Sequence, residues 1–322
     1  MIRSVSVSLI LFSLMLGMPV SAEIPERWIQ EFPKTNFNFM SVDPGTIFSG
    51  GPPRDGIPAL DNPKFVPVVS VDNLTDTEPV IGLVVGNVAK AYPIRILMWH
   101  EIVNDVIGDT PVTVTYCPLC NSAVVFDRRV KGKVLDFGTT GRLRNSDLVM
   151  YDRQTESWWQ QFLGEAIIGE LTGAELTTIP ARLESFSEFK NRAPDGLVLV
   201  ESGEYVRDYG QNPYVAYDSR SSPYPFFDGE LPTEIEPMAR VVVVEGQAWA
   251  MSLLREKREI QVGELRLRWR PGQNSALDTE EISKGRDVGT VIVTRNGEDA
   301  VYDVTFAFVF KTFYPDGILH TE

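Results

Sequence analysis

Short runs of β-branched and aromatic residues, broken by Gly, Pro or Asp, dominate the chain. They predict strands at 66–71, 80–85, 112–116, 123–126, 134–137, 241–245, 265–269 and 288–294. Three stretches repeat their apolar residues near every 3.6 positions and predict helices at 26–32, 94–103 and 183–192, the last with Ser185 or Ser187 as its cap. Lys131-Gly132 reads as a hairpin turn. Many short strands and few helices predict a strand-rich α+β fold.

The chain also resembles itself. Tyr116-Cys117-Pro118-Leu119-Cys120-Asn121-Ser122-Ala123-Val124 parallels Trp269-Arg270-Pro271-Gly272-Gln273-Asn274-Ser275-Ala276-Leu277. Phe189-Lys190 and Pro194-Asp195-Gly196-Leu197 recur as Phe310-Lys311 and Pro315-Asp316-Gly317-Ile318, and Ala91-Tyr92-Pro93-Ile94 resembles Ala248-Trp249-Ala250-Met251. Three matches in one order predict two tandem related modules, the second degenerate. The expected organisation is a signal peptide at 1–22, an extension at 23–64, a first module at 65–211, a Pro-rich linker at 212–237 and a second module at 238–322.

Packing requirements should persist in both copies, whereas chemistry need not. In this alignment His100 falls opposite Arg258, Cys117 opposite Arg270 and Cys120 opposite Gln273, so the second copy has none of the soft ligands of the first. The first stretch is also longer, and its extra length around 138–173 holds Asn145-Ser146-Asp147, Tyr151-Asp152-Arg153 and Trp158-Trp159. The first copy is therefore expected to work and the second to serve as scaffold. The Trp pair is expected in the core, with one ring facing outwards if the segment is a strand.

Composition narrows the function classes. Among 322 residues, 44 acidic against 30 basic groups give a formal charge of −14, which repels phosphate backbones and argues against a nucleic-acid partner. Arg3, an apolar run from Val5 to Leu16 and small residues at Val20-Ser21-Ala22 predict a signal peptide cut after Ala22. No later stretch is apolar enough to span a bilayer. The expected location is the periplasm or the exterior. The expected partner is an unidentified small molecule or exported protein.

The chain has two cysteines and two histidines. A Cys-x-x-Cys turn after an apolar strand lets both sulfurs meet one metal ion. With His100 as a third ligand the set suits copper ahead of zinc, with Glu101, Asp147, Tyr151 and Asp152 as candidate neighbours. Thiol–disulfide exchange uses the same motif, but at the start of a long helix, and here a strand follows. A Cys117 nucleophile with His100 as base would make the protein a thiol-dependent enzyme. A plain disulfide across so short a loop would stabilise weakly, leaving a non-catalytic binding module. Asp147, Asp152 and Arg153 equally suit fold-stabilising roles.

Taken together, Tyr92-Pro93, Trp99-His100-Glu101, Asn104-Asp105, Thr115-Tyr116-Cys117-Pro118-Leu119-Cys120, Asn145-Ser146-Asp147-Leu148, Tyr151-Asp152-Arg153-Gln154-Thr155 and Asp208-Tyr209-Gly210 with Asn212-Pro213-Tyr214 resemble a family of exported, mostly bacterial proteins classed as a domain of unknown function. The resemblance spans roughly residues 60 to 320 and brings no activity with it. It implies that Thr replaces the second cysteine in some relatives, which places weight on His100 and Cys117. It also implies that His320 is not a shared feature.

Overall fold

The computed structural model describes residues 23–322, so the expected signal peptide lies outside the described residues. Five small sheets are arranged as the blades of a five-bladed β-propeller. The first blade orders its strands Ala181–Ser185, Pro79–Val85, Val88–Pro93, Leu197–Val200 and Lys64–Pro67; the second runs Thr177–Thr178, Ser122–Asp127, Thr110–Cys117 and Ile102–Ile107. The third is Ile47–Ser49, Phe137–Arg144, Asp147–Asp152, Trp158–Gln160 and Glu165–Ile168. The fourth is Asp303–Phe306, Arg240–Val244, Gln247–Ala250 and Ile318–His320, and the fifth Glu259–Val262, Leu265–Arg270, Thr290–Arg295 and Glu298–Asp299.

This architecture corrects the expectation of a two-module α+β fold. Among the described residues the α-helices number five, each of six or seven residues, so they serve as corners between strands. One apolar core runs through every blade, with Ile81, Val112, Met150, Val242 and Val291 in a single cluster. The halves also interlock: Ala181–Ser185 packs on Thr290–Arg295, and Asp303–Phe306 packs on Ser122–Asp127. The two halves thus share one core instead of packing as separate modules.

The sequence matches instead fall on two pairs of blades, the first with the fourth and the second with the fifth. In both the first and the fourth, two antiparallel strands are flanked by an antiparallel neighbour on one side and a parallel strand on the other. The parallel strand returns through a short helix, Phe186–Arg192 or Ala307–Phe313, which buries Phe189 or Phe310. The matched strings 122–124 and 275–277 differ, however, since the first is strand and the second is loop.

Local details explain the other departures. The helix expected over 94–103 stops at His100 because Glu101 takes φ 57, and the chain turns into the strand Ile102–Ile107. Residues 183–185 extend as strand, and Ser185 caps the helix that follows by accepting from the Glu188 N–H at 3.3 Å. The Lys131-Gly132 turn stands, with both residues at positive φ. Most of the third blade went unpredicted, since Gly138, Gly141, Asp147 and Asp152 are poor strand formers. Trp158 and Trp159 are both fully buried, so neither ring faces outwards. Trp28 and Phe32 cover Trp158, while Phe137 covers Trp159.

Candidate functional site

The second blade delivers both cysteines. Thr110–Cys117 ends at Cys117, the chain turns through Pro118 and Leu119, and Asn121 at φ 52 returns it into Ser122–Asp127. Within the turn the Cys120 N–H donates to the Cys117 carbonyl at 3.3 Å. The fourth blade pins the same loop: Thr305 Oγ1 donates to the Cys120 carbonyl at 2.8 Å and Asn121 Nδ2 to the Val304 carbonyl at 3.2 Å.

The third blade delivers the third group. Asn145 and Ser146, at φ 53 and 64, form the two-residue turn that joins twisted antiparallel strands, and Asp147 opens the next strand. Asp147 Oδ2 accepts from Gln160 Nε2 at 2.6 Å and from the Phe162 N–H at 2.9 Å. Its Oδ1 is buried and has no nitrogen or oxygen partner among the described residues. The ligand atoms of Cys117, Cys120 and Asp147 all lie within 4.8 Å of one another, and Asp147 is 0% exposed. Cys117 Sγ also points at the Ser146 carbonyl, 3.6 Å away.

Burial sets the charge state of this group. It pushes Asp147 up to about 6 against the opposing hydrogen bonds of Gln160, Phe162 and the thiols. It also raises both thiols above their ordinary value, with Asp147 and Glu101 raising Cys117 further and Cys117 and Asp147 raising Cys120. Both cysteines are free thiols, and near neutral pH their protons stay on sulfur. A nucleophilic cysteine needs the opposite surroundings, with a cation or a helix N-terminus beside it.

His100 does not join the three. Its Nδ1 lies 2.7 Å from the Pro58 carbonyl, which can only accept, so Nδ1 carries the proton. Its Nε2 lies 2.7 Å from the Tyr209 hydroxyl and takes that proton, which leaves the ring no free lone pair. Burial lowers the His100 pKa, so the ring is neutral at pH 7. Neither the metal triplet built on His100 nor a Cys117–His100 dyad is assembled.

Other expected neighbours serve the fold. The Tyr151 hydroxyl donates to Asp55 Oδ2 at 2.5 Å beneath the Arg54 guanidinium. Asp152 accepts from Thr155 and from Trp159 Nε1 at 3.1 Å, while Arg153 pairs with Asp61 at 2.6 Å. His320 stacks on Trp249 in the fourth blade.

Glu101 stands beside the cysteines. It lines a cavity of about 140 Å3 together with Cys117, Ile57, Leu148, Tyr214 and Phe226, while Cys120 and Asp147 lie outside this lining. Burial first, and the Asp147 charge second, push Glu101 up to about 8. Tyr214 and Phe226 come from the Pro-rich segment, which pins both turns of the site: the Tyr217 hydroxyl donates to the Leu119 carbonyl at 3.0 Å, and the Ser146 N–H donates to the Phe226 carbonyl at 2.9 Å. Sequence reading passed over this cover because Pro density marks a connection; the aromatic spacing of Tyr214, Tyr217, Tyr224 and Phe226 was the available signal.

Among the described residues no helix is long and apolar enough to cross a membrane. A family model described as protein of unknown function (DUF3179) matches residues 54–317. No curated protein and no solved structure matches the chain.

Proposed function

The chain belongs to the DUF3179 family, whose description assigns no activity, and from that premise we propose that it binds one metal ion through Cys117, Cys120 and Asp147. The observation that carries the reading is Asp147 Oδ1, a buried carboxylate oxygen with no nitrogen or oxygen partner, beside two buried sulfurs. An oxygen in that position is costly unless something positive or hydrogen-bonding reaches it. In the metal-free protein the thiol protons are what it has; an incoming cation displaces them and is held by two thiolates and a carboxylate.

With Asp147 as third donor in place of His100, the balance moves from copper to zinc. Zinc accepts sulfur and carboxylate oxygen together, and three protein donors leave a fourth position open. Copper(I) favours the thiolates and gains little from a carboxylate. Copper(I) on the cysteines alone is the second reading, supported by their adjacency in one buried turn. Export belongs to the same proposal, and amino-terminal sequencing of the mature protein tests it by finding Glu23 first.

The test titrates metal-free protein with zinc and with copper(I), counting bound metal by elemental mass spectrometry. About one zinc per chain is expected, with affinity lowered by more than about a hundredfold in Cys117→Ser and in Asp147→Asn, beyond what loss of an outer-shell partner does. If Asp147→Asn spares copper(I) but not zinc, each metal uses the donors assigned to it. Wild-type protein that takes up neither metal at micromolar concentration overturns the proposal.

A further inference from the structure

The cavity in front of Cys117 has features that metal binding does not use. Its volume, about 140 Å3, is close to that of an engineered apolar cavity that admits a benzene molecule. Ile57, Leu148 and Phe226 supply apolar lining, and Tyr214 and Tyr224 add two more aromatic rings. Into this lining the fold presents one carboxyl group, that of Glu101, which has no side-chain hydrogen bond and no ion pair among the described residues.

The charge that acts on Glu101 is negative. Asp147 lies close enough to act on Glu101, and Asp303 in turn feels Asp147. Arg142 is the cationic residue in the lining, but its guanidinium is committed elsewhere: it pairs with Glu31 and sits 5.0 to 5.4 Å from the rings of Trp28, Phe32 and Trp158. The cavity therefore combines an uncompensated carboxyl with aromatic faces, the combination that attracts an organic cation.

We infer that this cavity binds a small amine with an apolar body about the size of a benzene ring, its ammonium group held against Glu101 and among Tyr214, Tyr224 and Phe226. The inference stands on the cavity alone and does not require the metal. The Glu101 carboxyl loses its proton to solvent as the ammonium enters, because a cation beside a carboxyl favours its charged form, with or without metal behind Cys117.

The experiment measures binding of benzylamine, benzamide and benzoate to the wild-type protein by calorimetry, on metal-free and zinc-loaded samples in parallel. Benzylamine is expected to bind at least tenfold more tightly than neutral benzamide in both samples, with benzoate weakest. Glu101→Gln should reduce the preference for the amine to less than about twofold while leaving benzamide unchanged, and Ile57→Trp should exclude all three. The three-ligand ranking on wild-type protein decides the charge class even if a variant misfolds. Benzamide or benzoate binding as tightly as benzylamine, an unchanged preference in a folded Glu101→Gln, or no binding by any of the three overturns the inference. A bound zinc with no amine binding leaves the metal proposal standing, and amine binding without zinc leaves this one.

Discussion

The helix Ile94–His100 hands the chain to Glu101 at φ 57, and the helix Met251–Lys257 hands it to Arg258 at φ 66. In each case the carbonyl of that left-handed residue accepts from the backbone N–H of an aromatic residue, Tyr116 at 2.8 Å or Trp269 at 2.9 Å. The unusual φ of Glu101 is therefore a joint of the fold and not strain reserved for chemistry. The side chains make the difference: Arg258 lies over the Trp269 ring at 4.6 Å, whereas Glu101 lines the cavity at Cys117. The structure also shifts the sequence alignment by one place, setting Glu101 and not His100 opposite Arg258.

The turns that follow diverge further. In the second blade Cys117 pairs directly with Ser122, and the short loop between them holds two thiols. In the fifth, Arg270 pairs with Thr290 across a long excursion, and Asp287 accepts from the backbone N–H groups of Gly272, Gln273 and Gly289. One carboxylate is satisfied by its own loop. The other, Asp147, reaches in from a different blade with one oxygen unpartnered.

If the first and fourth blades share a scaffold, their crossover helices should matter equally. Phe189→Ala and Phe310→Ala each empty a buried aromatic site and should each cost about 3–5 kcal/mol in chemical denaturation. A cost confined to one of them would break the equivalence. Metal sharpens the contrast next: zinc at about a hundredfold over its dissociation constant should stabilise the wild type by about 2.7 kcal/mol and leave Cys120→Ser unmoved, which thermal melts with and without zinc would show.

Close approach gives a graded version of the same comparison. A Cβ on Gly196 would sit 2.9 Å from Phe189 Cζ, and one on Gly317 only 2.5 Å from Phe310 Cζ. Overpacking of this kind costs about 1–3 kcal/mol, so both Ala variants should be destabilised and Gly317→Ala the more so. The reverse order in denaturation midpoints would contradict the geometry. The smallest effect belongs to the helix ends, where Arg258→Ala should lose about 0.5–1 kcal/mol with its ring contact.

Acidity separates the two regions as well. Burial first, then Asp147, push Glu101 up to about 8 from 4.5 and Asp303 up to about 7 from 3.8. The folded metal-free protein thus holds protons that the unfolded chain has released. Their stabilisation is complete below the unfolded values and is lost as pH rises through the folded ones. Denaturant midpoints of metal-free protein should fall between pH 5 and pH 9, and Glu101→Gln should flatten the upper part of that decline. A midpoint that climbs across this range would refute the assignment.

The amino-acid order by itself determined most of the strands, the cysteine turn and its lack of soft ligands in the counterpart, and the likeness of stretches that turned out to occupy like blades. These are local properties, set by periodicity, turn residues and side-chain type over a few positions. Tertiary structure alone decided the rest. It closed five sheets around one core to which both halves contribute. It brought Asp147 from the third blade to cysteines about 30 positions away in sequence, folded a Pro-rich connection over them as a cover, and spent both ring nitrogens of His100 on Pro58 and Tyr209. Partners of that kind depend on blade packing across long separations, and no short-range pattern in the chain encodes them.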